Sequence, residues 1–117
     1  MGKITTHVLD AAHGCPGSQI VVELYRVEGQ ALTLLNSVVT NSDGRCDQPM
    51  LQGEAYRSGV YQLQFAVGDY YRAKGVAMAD PAFLDVVVLR FGIDEAQEHY
   101  HVPLLVSPYS YSTYRGS

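Results

Sequence analysis

Apolar and polar residues alternate with a period of two along most of this chain, which is the pattern of half-buried strands. Residues 4–9 form the first such run, which ends at the loop Asp10-Ala11-Ala12-His13-Gly14-Cys15-Pro16-Gly17. Residues 20–27 follow, with Val22, Leu24 and Arg26 on one face and Val21, Glu23, Tyr25 and Val27 on the other. Gly29 marks a turn into residues 31–40, and Asn41-Ser42-Asp43-Gly44 closes that run with a tight-turn dipeptide. Residues 51–58 are ambiguous, with a short edge strand as one solution. Residues 60–67 alternate strongly, directing Tyr61, Leu63, Phe65 and Val67 to the core and Gln62, Gln64 and Ala66 outward. Residues 69–74 break the strand pattern as a short helix, with Asp69 as N-cap and Gly75 as terminator. Residues 83–93 are a further apolar strand with Val87, Leu89, Phe91 and Ile93 on one side. Asp94-Glu95-Ala96-Gln97 turns the chain into strands at 100–106 and 109–114, split by Ser107-Pro108.

Seven or eight short strands in 117 residues predict an all-β fold, an antiparallel sandwich of about eight strands in two sheets with one short helix. The spacing leaves no room for βαβ units, and residues 1–117 read as a single domain. The chain is 47% hydrophobic and 17% charged, a composition opposed to disorder. A net charge of -4 and a pI near 5.4 provide no basic footprint for nucleic acid. No run approaches the roughly 18 apolar residues that span a bilayer. Nine tyrosines and no tryptophan suit interfaces and pocket walls, because Tyr buries a ring and keeps a polar tip. Cys15 and Cys46 match neither metal spacing nor a disulfide framework and read as free thiols. A cytoplasmic location is the default, and a periplasmic one follows if a leader has been removed.

Four histidines carry the candidate chemistry. His7 shares a strand face with Thr5 and Leu9, whereas His13 sits in a solvated loop. In His99-Tyr100-His101 the two imidazoles share one strand face roughly 6.7 Å apart. They would suit zinc, which needs a further ligand for which His7 is the only spare strand histidine, or an acid–base group with its orienting partner. Arg45 follows the Asp43-Gly44 turn, and its planar fork fits carbonyl and imide-like edges. The tail, residues 107–117, is dense in hydroxyl groups and places Arg115, Gly116 and Ser117 at one spot if it forms a strand. No nucleophile elbow, phosphate loop, dinucleotide loop or calcium loop is present in the sequence.

Taken together, three motifs resemble the transthyretin-related family across nearly the whole chain. They are Thr6-His7-Val8-Leu9-Asp10, Thr40-Asn41-Ser42-Asp43-Gly44-Arg45 and His99-Tyr100-His101-Val102-Pro103-Leu104-Leu105, the last continuing through Ser107-Pro108-Tyr109 to Tyr114-Arg115-Gly116-Ser117. The terminal Tyr-Arg-Gly-Ser, the two histidines and the arginine match the branch that hydrolyses 5-hydroxyisourate. The hormone carriers share Ser-Pro-Tyr-Ser-Tyr-Ser-Thr but lack that ending. In Gly14-Cys15-Pro16-Gly17 the family more usually shows Ala after the proline, a loop difference. The resemblance implies a prealbumin-like sandwich of two four-stranded sheets and a homotetramer built as a dimer of dimers. It places active sites at the dimer–dimer interface and needs no metal or other cofactor. It implies hydrolytic ring opening of 5-hydroxyisourate to 2-oxo-4-hydroxy-4-carboxy-5-ureidoimidazoline. Carried over by motif, His7, Arg45, His101 and Ser117 are catalytic, and His7, Arg45, Tyr114, Arg115 and Gly116 bind substrate. His99 is not the matching histidine. The expected roles are acid–base work shared by His7 and His101, oxyanion binding by Arg45, and Ser117 either as nucleophile or as a binding group. The competing class is a non-catalytic small-ligand carrier, which calls for an apolar channel.

Overall fold

The computed structural model describes residues 2–116. Its strands are β1 (Lys3–Asp10), β2 (Cys15–Pro16), β3 (Val21–Glu28), β4 (Ala31–Val39), β5 (Leu51–Gln52), β6 (Gly59–Phe65), β7 (Val87–Ile93), β8 (His99–Val106) and β9 (Tyr111–Thr113). One α-helix, α1 (Val67–Ala73), follows β6, and a single 3-10 turn spans Gly53–Ala55. The strands form two sheets. One runs β2-β1-β8-β9 with β5 also paired to β1, and the other runs β4-β3-β6-β7. The sandwich architecture is as expected, although the small strands β2 and β5 bring the first sheet to five. One pairing is parallel, that of β1 with β8. The whole second sheet lies between those two strands in the chain, so no hairpin dictates their direction.

The core lies between the sheets. Ile4 and Val8 of β1, Val22 and Leu24 of β3, and Leu63 and Phe65 of β6 have no exposed surface. Each such side chain contributes about 1.5–3 kcal/mol through burial. Tyr61 is also fully buried; its hydroxyl donates to the Arg57 carbonyl at 2.7 Å and accepts from Arg26 at 2.7 Å.

Several expectations from the pattern need correction. Val67 does not extend β6 but opens α1, where Gly68 donates its N–H to the Asp85 carbonyl at 2.9 Å. Gly68 lacks the Cβ that would come within 3.1 Å of Asp85 Cα, so the chain turns closely there. The N-cap is Ala66 without a side-chain bond, and Asp69 sits inside the first turn, where its charge favours the helix dipole. The strand expected over 83–93 begins only at Val87, and Phe83 is 73% exposed. Gln62 points away from the core yet is buried, because Arg90 lies directly across on β7 and donates to its Oε1 at 3.1 Å. The ambiguous stretch 51–58 is the two-residue β5 followed by the 3-10 turn.

Two of the nine tyrosines anchor α1 through a buried carboxylate. Asp10, fully buried at the end of β1, accepts from Tyr70 Oη at 2.7 Å and Tyr71 Oη at 2.9 Å. His13 Nδ1 and the backbone N–H groups of Ala12 and His13 complete its shell. Burial pushes the carboxyl pKa up, but the bonds from Tyr70, His13 and Tyr71 outweigh it and leave the value below 3.8. The resulting stability is complete above pH 3.8 and fades as pH falls through the lowered folded value. Asp10→Asn is expected to cost about 2–4 kcal/mol, because an amide donor would face hydroxyl donors in a dry site. Urea titration at neutral pH checks this; an unchanged midpoint would show that the carboxylate does not hold the helix.

Candidate active site

The register of β1 against β8 builds one wall of the site. Thr5 lies opposite His101, Lys3 opposite His99 and His7 opposite Pro103. Alternation then aligns Thr5, His7, His99 and His101 on the same sheet face.

Arg45 reaches this face from a loop held by Asn41. Asn41 Oδ1 accepts the N–H groups of Asp43 at 2.9 Å and Arg45 at 3.1 Å, and the Asn41 N–H donates to the Arg45 carbonyl at 2.8 Å. Gly44 occupies the left-handed region at φ +74, and a Cβ there would meet the Val8 carbonyl oxygen at 2.4 Å. Its own carbonyl accepts the Val8 N–H at 2.8 Å, which ties the loop to β1. A backbone bridge joins His7 to Arg45.

The tail forms the opposite wall. Gly116 donates its N–H to the His101 carbonyl at 2.7 Å. A Cβ on Gly116 would fall 2.7 Å from His101 Cδ2, so glycine is the residue that lets the tail lie on the imidazole.

These walls enclose an open cavity of about 490 Å³. Thr5, Arg45, His99 and His101 supply its polar lining, with Tyr114 and Gly116 on the tail side. Arg45 is the one formally charged side chain lining it among the described residues, and its guanidinium suits an electron-rich ligand. Thr5 Oγ1 lies 2.7 Å from His99 Nε2 and 2.8 Å from His101 Nδ1, bridging the two rings. His101 Nε2 makes no hydrogen bond among the described residues. Partial burial, then the charge of Arg45 and the imidazoles of His99 and His7, hold the His101 pKa below the ordinary 6.5. His101 is therefore neutral at pH 7 and has a lone pair to offer as a base.

The other expected residues are distributed as follows. His7 stands beside the cavity, its Nε2 donating to the Asp43 carbonyl at 2.9 Å. Arg115 turns to the far side of the strand, with its guanidinium 4.4 Å from the Tyr100 ring centre and bonded to the His99 carbonyl at 3.2 Å. It lines a separate cavity of about 380 Å³. Ser117 lies outside the described residues. Cys46 was read only as a free thiol, yet it lines the site; burial, with a smaller effect from Asp47, pushes it up to about 11, so it stays protonated. The sequence left Thr5 without a role and offered His99 only as a zinc ligand or as the orienting partner of an acid–base pair, although both share the strand faces of His7 and His101. No group of three or more His, Cys, Asp or Glu side chains converges as a metal site among the described residues.

Residues 4–116 match the family model described as HIUase/Transthyretin family. A 5-hydroxyisourate hydrolase of Pseudomonas aeruginosa is 72% identical over 117 residues, covering 100% of this chain and 93% of that protein. A solved structure of Klebsiella pneumoniae 5-hydroxyisourate hydrolase superposes with a TM-score of 0.83 at 31% identity, covering 100% of both chains. A crystal structure of (S)-allantoin synthase superposes at TM-score 0.92 with 45% identity; it covers 99% of this chain, which spans only 44% of that one.

Proposed function

The chain belongs to the HIUase/transthyretin family, and on that premise we propose that it hydrolyses 5-hydroxyisourate in urate breakdown. The observation that carries the reading is His101, bonded through Nδ1 to Thr5 with its Nε2 free of hydrogen bonds among the described residues, in the same cavity as Arg45. The substrate is a planar, carbonyl-rich bicycle. Opening its six-membered ring requires an activated water, a polarised carbonyl and a proton for the departing nitrogen.

His101 Nε2 takes a proton from water as the oxygen attacks the ring carbonyl. The carbonyl becomes a tetrahedral oxyanion, which Arg45 stabilises by charge and by its donor fork. Collapse of that intermediate breaks the carbon–nitrogen bond, and the nitrogen receives the proton. The product is 2-oxo-4-hydroxy-4-carboxy-5-ureidoimidazoline. His7, fixed by its bond to the Asp43 carbonyl, steadies the Arg45 loop and adds a second imidazole at the rim. Tyr114 and Gly116 shape the cavity, and Arg115 holds the tail against Tyr100; Ser117 keeps the nucleophilic or binding role that the family motif alone assigns it. A single domain carries these parts, with no metal or other cofactor taking part in any step.

The carrier reading has no support in the lining, where threonine, histidine and arginine stand beside Cys46, Tyr114 and Gly116 in place of an apolar tunnel. The cavity is an open depression, and Tyr114 in its lining is 61% exposed. A second copy of the chain over this face, in a homotetramer, would close it against water. Among the described residues no helix is long and apolar enough to cross a membrane, and the free thiols Cys15 and Cys46 suit a reducing cytoplasm.

Uricase generating 5-hydroxyisourate in place, with its ultraviolet decay followed in the presence and absence of this protein, is the direct test. Acceleration is expected, and decay at the spontaneous rate would overturn the proposal.

A further inference from the structure

Among the described residues, Thr5 is the one side chain hydrogen-bonded to both imidazoles of the cavity wall. A hydroxyl has one proton and two lone pairs, so it donates to one ring nitrogen while accepting from the other. The two rings cannot then choose tautomers independently. Their centres are 6.1 Å apart, too far for a direct bond, and the hydroxyl closes that gap. The arrangement follows from the parallel register of β1 on β8, which sets Thr5 opposite His101 and two positions along from His99 on the same face.

Two settings exist for neutral rings. In one, Thr5 donates to His99 Nε2, His101 Nδ1–H donates to Thr5 Oγ1, and His101 Nε2 is bare. In the other, Thr5 donates to His101 Nδ1, His99 Nε2–H donates to Thr5, and His101 Nε2 holds the proton. The first is a base and the second an acid toward whatever occupies the cavity.

We infer that Thr5 and His99 form a hydroxyl-bridged relay, resting on the hydrolase reading, that sets the bare Nε2 of His101 toward substrate and carries the positive charge of proton abstraction on His99. When His101 Nε2 takes a proton from water, its Nδ1 proton passes to Thr5 Oγ1 while the Thr5 proton passes to His99 Nε2. His99 becomes the imidazolium, and His101 is left neutral with its proton on Nε2. That proton goes to the departing ring nitrogen. The reverse shift along the bridge returns the Nδ1 proton to His101, so each turnover moves one proton from water to the leaving nitrogen and no net charge accumulates. The physical advantage is electrostatic: Arg45 also lines the cavity, and transfer moves the new positive charge off the ring it disfavours. The charged and titratable groups acting on His101 are Arg45, His99 and His7. Thr5 and His99 act through His101 and are positioning residues.

Thr5→Val preserves β-branching and shape while removing the bridge. It is expected to lower kcat by about 10–100-fold with KM little changed, and to alter the acid limb of the pH profile. Thr5→Ser restores the hydroxyl and should recover most of the loss, which a packing role alone would not predict. His99→Phe should lower kcat in the same way. Long-range proton–nitrogen spectra of the unaltered protein at neutral pH should show His101 protonated at Nδ1 and bare at Nε2, a readout independent of any variant's folding. Thr5→Val within twofold of the parent with an unchanged pH profile would overturn the relay, as would a His101 protonated at Nε2 in the resting protein. A parent without activity would instead remove the hydrolase reading, while the spectra would still decide whether Thr5 bridges the rings.

Discussion

His101→Ala is expected to lower kcat for 5-hydroxyisourate by about 10²–10⁴-fold, the range for loss of a positioned general base. The fold should tolerate it, since the ring lines an open cavity and the backbone bonds of β8 do not depend on it. Melting within a few degrees of the parent, with activity near the spontaneous rate, is the expected pair of results. Turnover equal to the parent would remove His101 from the mechanism even if the hydrolase activity stood. His7→Ala should cost less, because His7 touches the Asp43 carbonyl and stands outside the lining of the cavity.

Arg45→Ala should lose about 10²–10³-fold in kcat, the scale of a removed oxyanion donor. It should also move the acid limb of the kcat profile to higher pH. Protonation silences His101 as a base, so activity falls as pH drops through its pKa. Arg45 is one cause of that pKa lying below 6.5, and the intact enzyme is therefore expected to remain active further into acid. Removing the guanidinium raises the pKa and brings the loss forward. Arg45→Lys separates the two effects, since it retains the charge and forfeits the planar fork. It should leave the acid limb nearly in place while recovering only part of the rate. A pH profile for Arg45→Ala identical to the parent's would show that the arginine does not act on His101.

Much of the fold was readable as pattern. The alternation around Tyr61, Leu63 and Phe65 marks a core face because a strand has two sides and only one meets the opposing sheet. The Asp43-Gly44 turn foretold a tight loop, and the structure adds that Gly44 must approach the Val8 carbonyl. Val67 was misplaced because an apolar residue at an even step looks the same whether the strand continues or a helix begins. Gln62 looked solvent-facing because a single strand does not show that Arg90 will lie across it. Phe83 was read as the start of a strand for the converse reason: apolar character was visible, while the absence of a ladder partner was not.

The candidate site divides in the same way. His101, Arg45 and the terminal glycine stand out by residue type, spacing and family motif, and local chemistry alone places them on strands and turns. Nothing along the chain places Thr5 between His99 and His101, because that contact joins residues 94 and 96 positions apart. Nor does it show that Asp10 gathers two helix tyrosines, or that Arg115 leaves the cavity while Tyr114 and Gly116 remain. Period and composition determine which face of an element is buried, since burial of apolar surface is a local average over its own residues. Partner and register come from packing the two sheets as a whole, and those decide which polar groups meet.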